Sequence, residues 1–493
     1  MQWSQEQLNI FKAFDTESSN LLVNASPGSG KTTVLCELWA RSQSNAILDL
    51  AFNKNIVQEL TRRLVPKRDS KIATYNSLGH QLCMKQWPKT KVNNNKVYKH
   101  IKPLEHVFPQ NKSSEYVYSL KVLVGYLKNI HWPVLPIPVQ DIQDIAIFYD
   151  LDVYPDIERH ANRVLLASIQ DTSCIDLSDQ LLMPIYYGLR FPFYEQVMVD
   201  EVQDTNSIQK DMLLALQLTN PNIRVCLVGD SHQAIYAFRG ALADSMSSVG
   251  GAFNSLDMPL TISRRCARAI VREAQGIWPN DINYADNAIE GIVRQTVKPP
   301  DYTKKPAYRD YSECVQTEQF TLDHMVLCRT TAPLITFAYT LLRNNIPCQI
   351  RGRDIGGNFV KYIKKSGCEY LSDFRDYMYD DLTQQIERAT LLKQDVKVLA
   401  LVDKRETLEV FCDCTRSIYV SELIAHIELL FENGKGVLLS TVHRAKGLEA
   451  DKVYILAPDL MPHPLATQLW AKEQEANIQY VGITRAKGEL VYI

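Results

Sequence analysis

A short apolar run, Asn20-Leu21-Leu22-Val23-Asn24-Ala25, is followed at once by Ser26-Pro27-Gly28-Ser29-Gly30-Lys31-Thr32-Thr33 and then by the helix-forming Val34-Leu35-Cys36-Glu37-Leu38. Strand, glycine-bearing loop and helix in that order point to an α/β domain whose loop cradles phosphate, because backbone N–H groups turn inward only where no Cβ obstructs them. Gly28 and Gly30 supply that turn, with Ala25, Ser26, Ser29 and Thr33 completing the loop. Lys31 can reach the β and γ phosphates of ATP, and the Thr32 hydroxyl can hold Mg²⁺. The strict form of the pattern has glycine where this chain has Ala25, so the loop alone also reads as a Gly/Ser turn before an exposed helix.

Two further strands bear on that choice. Gln196-Val197-Met198-Val199 runs directly into Asp200-Glu201-Val202-Gln203-Asp204. In an open parallel sheet the ligand crevice lies beyond the carboxyl ends of the strands, which would bring these acids beside the phosphate loop. Asp200 is then the Mg²⁺ residue, and Glu201 orients and activates the water that attacks the γ phosphate. An acidic solvated loop is the plain alternative; a cluster placed straight after a short apolar strand favours the site. A third strand, Arg224-Val225-Cys226-Leu227-Val228, leads into Gly229-Asp230-Ser231-His232-Gln233-Ala234-Ile235-Tyr236-Ala237-Phe238-Arg239-Gly240-Ala241.

Length and composition limit the classes. A chain of 493 residues that is 46% hydrophobic has material for two to four domains. Its 54 Lys plus Arg balance 56 Asp plus Glu, so any nucleic-acid site must be local rather than a property of net charge. Eleven cysteines occur without CxxC pairs, and Cys412-Asp413-Cys414 is too tightly spaced for a zinc knuckle. A reducing intracellular compartment, the cytoplasm, is expected. No apolar run approaches the roughly 18 residues that cross a bilayer, and the opening Met1-Gln2-Trp3-Ser4-Gln5-Glu6 does not read as a leader, so no membrane partner is expected.

As a set, ASPGSGKT, VDEVQD and GDSHQAIYAFRGA resemble the superfamily 1 helicases of the UvrD/Rep/PcrA type, and further segments follow in that family's order. Gln7 matches the glutamine that reads adenine. Ala51-Phe52-Asn53-Lys54 is similar to motif Ia and Thr74-Tyr75-Asn76-Ser77-Leu78 to motif Ib. Ser263-Arg264-Arg265-Cys266 stands where the family has Asn-Tyr-Arg-Ser. Ser440-Thr441-Val442-His443-Arg444-Ala445-Lys446-Gly447-Leu448-Glu449 resembles motif V, and Tyr480-Val481-Gly482-Ile483-Thr484-Arg485-Ala486-Lys487 motif VI. The resemblance spans Gln7 to Lys487, and Phe238 stands for the family's usual Trp.

The resemblance implies residue roles. Lys31, Glu201, Gln233, Arg265 and Arg485 would be catalytic, with the two arginines reaching the triphosphate and neutralising charge in the transition state. Gln7, the loop, Arg265, Glu449 and Arg485 would bind ATP; Thr32 and Asp200 would hold Mg²⁺. Phe52, Asn53, Thr74, Asn76, Tyr236, Phe238, Arg239, Thr441 and His443 would contact nucleic acid, with Tyr236 and Phe238 as stacking faces that hold bases without regard to sequence.

The fold class expected is α/β: two RecA-like P-loop NTPase lobes with mainly helical inserted subdomains. Residues 1–83 and 187–262 form the first lobe, 84–186 its helical insert, 263–352 and 436–493 the second lobe, and 353–435 a reduced second insert. The implied function is an ATP-dependent DNA helicase or single-strand translocase moving 3′ to 5′, in replication or repair, on single-stranded DNA and its junctions with duplex. The alternative is a DNA-stimulated ATPase that remodels or clamps nucleic acid, or displaces proteins, without processive unwinding.

Overall fold

The computed structural model describes residues 3–493 apart from 109–112, 131, 149–150, 152–153, 236–244, 392–393, 416, 433–434 and 467. The chain divides between Thr261 and Ile262 into two compact units.

The first unit is built on a six-stranded sheet in the order Lys71–Thr74, Ile47–Ala51, Gln196–Val199, Arg224–Gly229, Leu21–Ala25, Leu256–Leu260, with every neighbouring pair parallel. A parallel sheet is covered on both faces, so its strands read as continuous apolar runs rather than alternating ones. Ile47–Ala51 and Gln196–Val199 are accordingly buried at every position. One face packs under the helices Gln5–Thr16, Lys31–Arg41 and Lys54–Arg63 through Ile10, Phe11, Leu35, Leu38 and Leu60. The opposite face, carrying Leu48, Leu50, Val197 and Val199, packs with Leu213 of the helix Ser207–Thr219. Each such side chain contributes about 1.5–3 kcal/mol on burial.

Capping sets where the helices begin. Ser4 Oγ accepts from Gln7 N at 3.3 Å while Gln7 Oε1 accepts from Ser4 N at 3.0 Å, a reciprocal box that opens the first helix. Asn206 and Gln209 repeat it at Ser207–Thr219.

Between Tyr75–Gln86 and the strand Gln196–Val199 lie the helices Lys96–Ile101, Ser113–Leu127, Val139–Phe148, Ile157–Gln170 and Asp179–Tyr186. At their base is a buried ionic network. Lys96 Nζ donates to Asp179 Oδ2 at 2.7 Å and Lys128 Nζ to Asp176 Oδ2 at 2.6 Å. Lys128 Nζ also lies 2.6 Å from Asp179 Oδ1, as an ion pair off the hydrogen-bond angle. Backbone bonds between Asp176 and Asp179 close the turn. Helix Tyr75–Gln86 meets this turn so closely that a Cβ on Gly79 would come within 1.7 Å of Gln180 O.

The second unit has its own six-stranded parallel sheet, ordered Ile292–Gln295, Ala486–Tyr492, Ala450–Ile455, His324–Cys328, Val437–Thr441, Cys348–Ile350. Arg353–Ser366, Leu371–Leu391, Asp395–Cys414 and Val420–Leu430 are the helices between its last two strands in space, packed through Phe374, Met378, Leu382, Phe411, Leu423 and Ile427. The fold class is that expected from the sequence: α/β, two RecA-like lobes with mainly helical inserted segments. All eleven cysteines are free thiols, and among the described residues no helix is long and apolar enough to cross a membrane.

Candidate nucleotide and nucleic-acid sites

The phosphate loop follows the strand Leu21–Ala25 and is tied down by two backbone bonds, Ser26 N to Leu260 O at 3.0 Å and Ser29 N to Ser26 O at 3.2 Å. Ser29 Oγ also donates to Ser26 O at 2.7 Å. Gly28 and Gly30 hold φ of +75° and +99°, values that side-chain-bearing residues rarely adopt. A Cβ on Gly30 would in addition lie 3.3 Å from Gln7 Nε2. Gln7 is therefore packed against the loop, its amide oriented by the capping box. The loop opens onto the first turn of the helix Lys31–Arg41, whose N–H groups have no intrahelical acceptor and carry the positive end of the helix dipole.

Lys31 Nζ donates to Ala25 O at 3.1 Å and pairs with Asp230 Oδ2 at 3.5 Å. Asp230 is the centre of a connected set. Gln233 Nε2 donates to the same Oδ2 at 2.7 Å, and Asp230 N donates to Gln203 Oε1 at 3.0 Å. Gln203 Nε2 in turn donates to Glu201 Oε2. A continuous chain thus runs from the phosphate-loop lysine through Asp230 and Gln203 to the proposed water-activating carboxylate. Gly229 makes the approach possible, since a Cβ there would lie 2.4 Å from Gln203 Oε1. Gln203 and Asp230 lie within VDEVQD and GDSHQAIYAFRGA, whose pattern alone assigns neither of them a role. The signal available was the amide at Gln203 between two acids.

Glu201 has φ of +53°, a left-handed backbone costly for a side-chain-bearing residue. Its N–H donates to Asp200 Oδ1 at 2.9 Å. Burial, with the Glu201 charge beside it, pushes the Asp200 carboxyl up, against the Lys31 ammonium and the Glu201 N–H, which favour ionisation.

Along the carboxyl edge of the sheet the candidates follow strand order: Thr74, then Phe52 and Asn53, then Asp200, then Asp230 and Gln233, then the phosphate loop. The nucleic-acid candidates occupy two strands at one side, the nucleotide candidates the next three. Asn53 and Thr74 are both N-caps: Asn53 Oδ1 accepts from Asn55 N and Ile56 N, Thr74 Oγ1 from Ser77 N. Asn76 Nδ2 donates to Leu177 O at 2.7 Å, so its amide ties the ionic turn of the insert to this edge. Phe52 is half-buried. Tyr236, Phe238 and Arg239 lie outside the described residues.

In the second unit Arg265 Nε pairs with Glu449 Oε2 at 2.6 Å, and Lys487 Nζ with Glu449 Oε1 at 3.0 Å. Burial would raise the Glu449 carboxyl, but these cations outweigh it and hold it below its ordinary value. Arg485 is 1% exposed and donates to Val481 O at 2.9 Å, Leu448 O at 3.2 Å and Thr484 Oγ1 at 3.3 Å. Arg265, Glu449 and Arg485 are thus brought together within this unit. Thr441 ends the strand Val437–Thr441, with His443 in the short helix after it.

A glycine-bearing loop, a strand-end Asp-Glu pair and a buried glutamine on adjacent parallel strands of one unit, with a second unit built on its own six-stranded parallel sheet, define a two-lobed P-loop NTPase. Family models narrow this: the UvrD/REP helicase N-terminal domain matches residues 3–125 and 192–254, and the UvrD-like helicase C-terminal domain residues 369–493. The chain belongs to the UvrD/Rep family of helicases. The ATP-dependent DNA helicase Rep of Buchnera aphidicola subsp. Acyrthosiphon pisum is 21% identical over 97% of this chain and 93% of its own length. The ATP-dependent DNA helicase PcrA of Bacillus subtilis is 22% identical over 97% of this chain and 81% of its own. The Gabija protein GajB of Bacillus cereus is 22% identical, covering 97% and 93%.

Proposed function

We propose that this chain is an ATP-dependent DNA helicase that couples ATP hydrolysis to 3′-to-5′ movement along single-stranded DNA and acts at junctions with duplex. The observation that carries the reading is the Lys31–Asp230–Gln203–Glu201 chain with Gln233 attached, because it links the phosphate-binding lysine to the residue that would activate water. Lys31, Glu201 and Gln233 are assigned to hydrolysis, and Gln7 to the base. Arg265 and Arg485 are assigned to charge neutralisation on the γ phosphate, an effect worth about 10³–10⁵ in rate where such arginines operate. The domain division given from sequence, with inserts at 84–186 and 353–435, is part of the proposal.

The residues suit Mg²⁺. Among the described residues no group of three or more His, Cys, Asp or Glu could hold a metal ion. Mg²⁺ asks for no such cage, being held by one or two protein oxygens together with nucleotide phosphates and water. Thr32 Oγ1 and the buried Asp200 carboxyl are hard oxygen donors beside the phosphate loop. When bound, the ion would neutralise charge on the β and γ phosphates.

Phe52, Asn53, Thr74, Asn76, Thr441 and His443, with Tyr236, Phe238 and Arg239, are assigned to the DNA strand. Asn53 and Thr74 would do so as the capped first turns of helices, whose N–H groups suit backbone phosphate. The test is phosphate release with and without single-stranded DNA, and strand release from duplexes with 3′ or 5′ tails. DNA-stimulated turnover lost in Glu201→Gln with nucleotide binding kept, and unwinding from the 3′ tail, are expected. DNA-independent turnover refutes the motor, and stimulation without strand release refutes unwinding.

A further inference from the structure

Asp49 is the one acid in the middle of a central strand of the first sheet. It is fully buried, at a position where the run Ile47-Leu48-Asp49-Leu50-Ala51 calls for a branched apolar side chain. Neither of its carboxyl oxygens has a hydrogen-bond partner. Burying an unpartnered polar group costs several kcal/mol, so it asks for an explanation.

Its surroundings supply one. Asp49 is paired in register with Met198, and Asp200 N donates to Leu50 O at 3.1 Å, so the two strands stay together as far as Asp200. Side chains two apart on a strand share a face, which puts Asp49 and Asp200 on the same side. It is the side of Ile47, Ala51 and Met198, which pack under the phosphate-loop helix with Val34, Leu35 and Leu38. Two residues of rise, about 6.6 Å, and a strand spacing of about 4.8 Å separate the two Cα atoms by about 8 Å. The Asp200 charge acts on Asp49 across this gap, and carboxyl groups leaning toward each other on the shared face would come within the span of one bridging water. Cys36, one helical turn beyond Thr32, faces the same space. Burial pushes its thiol up, the Arg63 charge opposes this, and the charges of Asp49 and Asp200 add to it.

We propose that Asp49 is a positioning residue of the nucleotide site, a hydrogen-bonding carboxyl beneath Asp200 that orients it, through water, for the divalent cation. Burial and the Asp200 charge push the Asp49 carboxyl well up, and asparagine, of the same size and hydrogen-bonding reach, is the substitution that would copy its contact with water. Partners behind a metal ligand are typically worth about 10- to 100-fold in metal affinity. The inference rests on the nucleotide site proposed above.

The experiment is a Mg²⁺ titration of fluorescent ATP-analogue binding to the full chain, with melting curves alongside. D49V should raise the half-saturating Mg²⁺ about 10- to 100-fold, with metal-free nucleotide binding and melting temperature held or improved, and D49N should restore the wild-type value. A D49V protein with wild-type Mg²⁺ dependence overturns the proposal, as does equal loss in D49N and D49V. If D49V does not fold, infrared difference spectra of wild type and D49N decide. A carboxyl band that shifts on adding Mg²⁺ and nucleotide and is missing from D49N supports the role; no such band overturns it. A wild-type protein without Mg²⁺-dependent nucleotide binding overturns the function and this inference together, whereas a wild-type-like D49V overturns the inference alone.

Discussion

Gln203→Met tests the hydrogen-bonded chain at its middle link. Gln203 is 1% exposed and uses both ends of its amide, donating to the Glu201 carboxylate and accepting from Asp230 N at 3.0 Å. Methionine keeps the volume and removes both bonds. A bond to a charged group is worth about 1.5–3 kcal/mol, and a buried N–H left without an acceptor costs about 1–3 kcal/mol. The first term falls on Glu201, whose left-handed backbone leaves it reliant on such anchors. If the whole of it is lost from the transition state, kcat drops roughly 10- to 150-fold at 1.36 kcal/mol per factor of ten. The second term falls on Asp230 and shows as lost stability. Phosphate release with saturating single-stranded DNA should show the fall in kcat with little change in KM for ATP, since Lys31 and the loop are untouched. Added to Glu201→Gln, the substitution should cost nothing further, because its effect runs through the same carboxylate. A kcat within about twofold of wild type, under half a kcal/mol, or full additivity with Glu201→Gln, would refute the connected chain.

Other expectations concern stability. Lys128→Met leaves Asp176 and the fully buried Asp179 with one cation fewer; breaking such a network costs about 3–5 kcal/mol. For a unit of this size that lowers the melting temperature by roughly 6–20 °C, and an unchanged melt would refute the network's role. His463 accepts from Leu465 N through Nδ1, which requires the neutral ring. Burial and the nearby Arg329 hold it down to about 4, against the Glu475 charge. Its folded value lies below the ordinary 6.5, so the unfolded chain binds the extra proton between pH 6.5 and 4. Stability should therefore fall as the pH is lowered from 6.5 to about 4, and His463→Gln should flatten the fall; melting curves that run parallel for both proteins would sink the assignment.

Strand-loop-helix order, apolar runs ending in acids and the spacing of the motifs are local properties, carried by Cβ sterics, helix caps and hydrophobic periodicity. They made the phosphate loop, the Asp200–Glu201 pair and the α/β class legible without coordinates. The sequence also offered Asn76 as a nucleic-acid contact, but could not show that its amide reaches Leu177 O, 101 residues away. Asn53 and Thr74 were visible as polar residues after strands, and their capping geometry follows from the helices that begin there.

Partners distant in sequence were decided only by the tertiary structure. Strand order put Arg224–Gly229 between Gln196–Val199 and Leu21–Ala25, and so delivered Asp230 to Lys31 across 199 positions. The same register set Asp49 under Asp200, where a reading along the chain sees one polar residue in an apolar run. The sequence alone therefore determined which chemistry the chain carries. Long-range pairing decided which atoms meet, because a parallel sheet joins strands through crossovers whose lateral order no local pattern encodes.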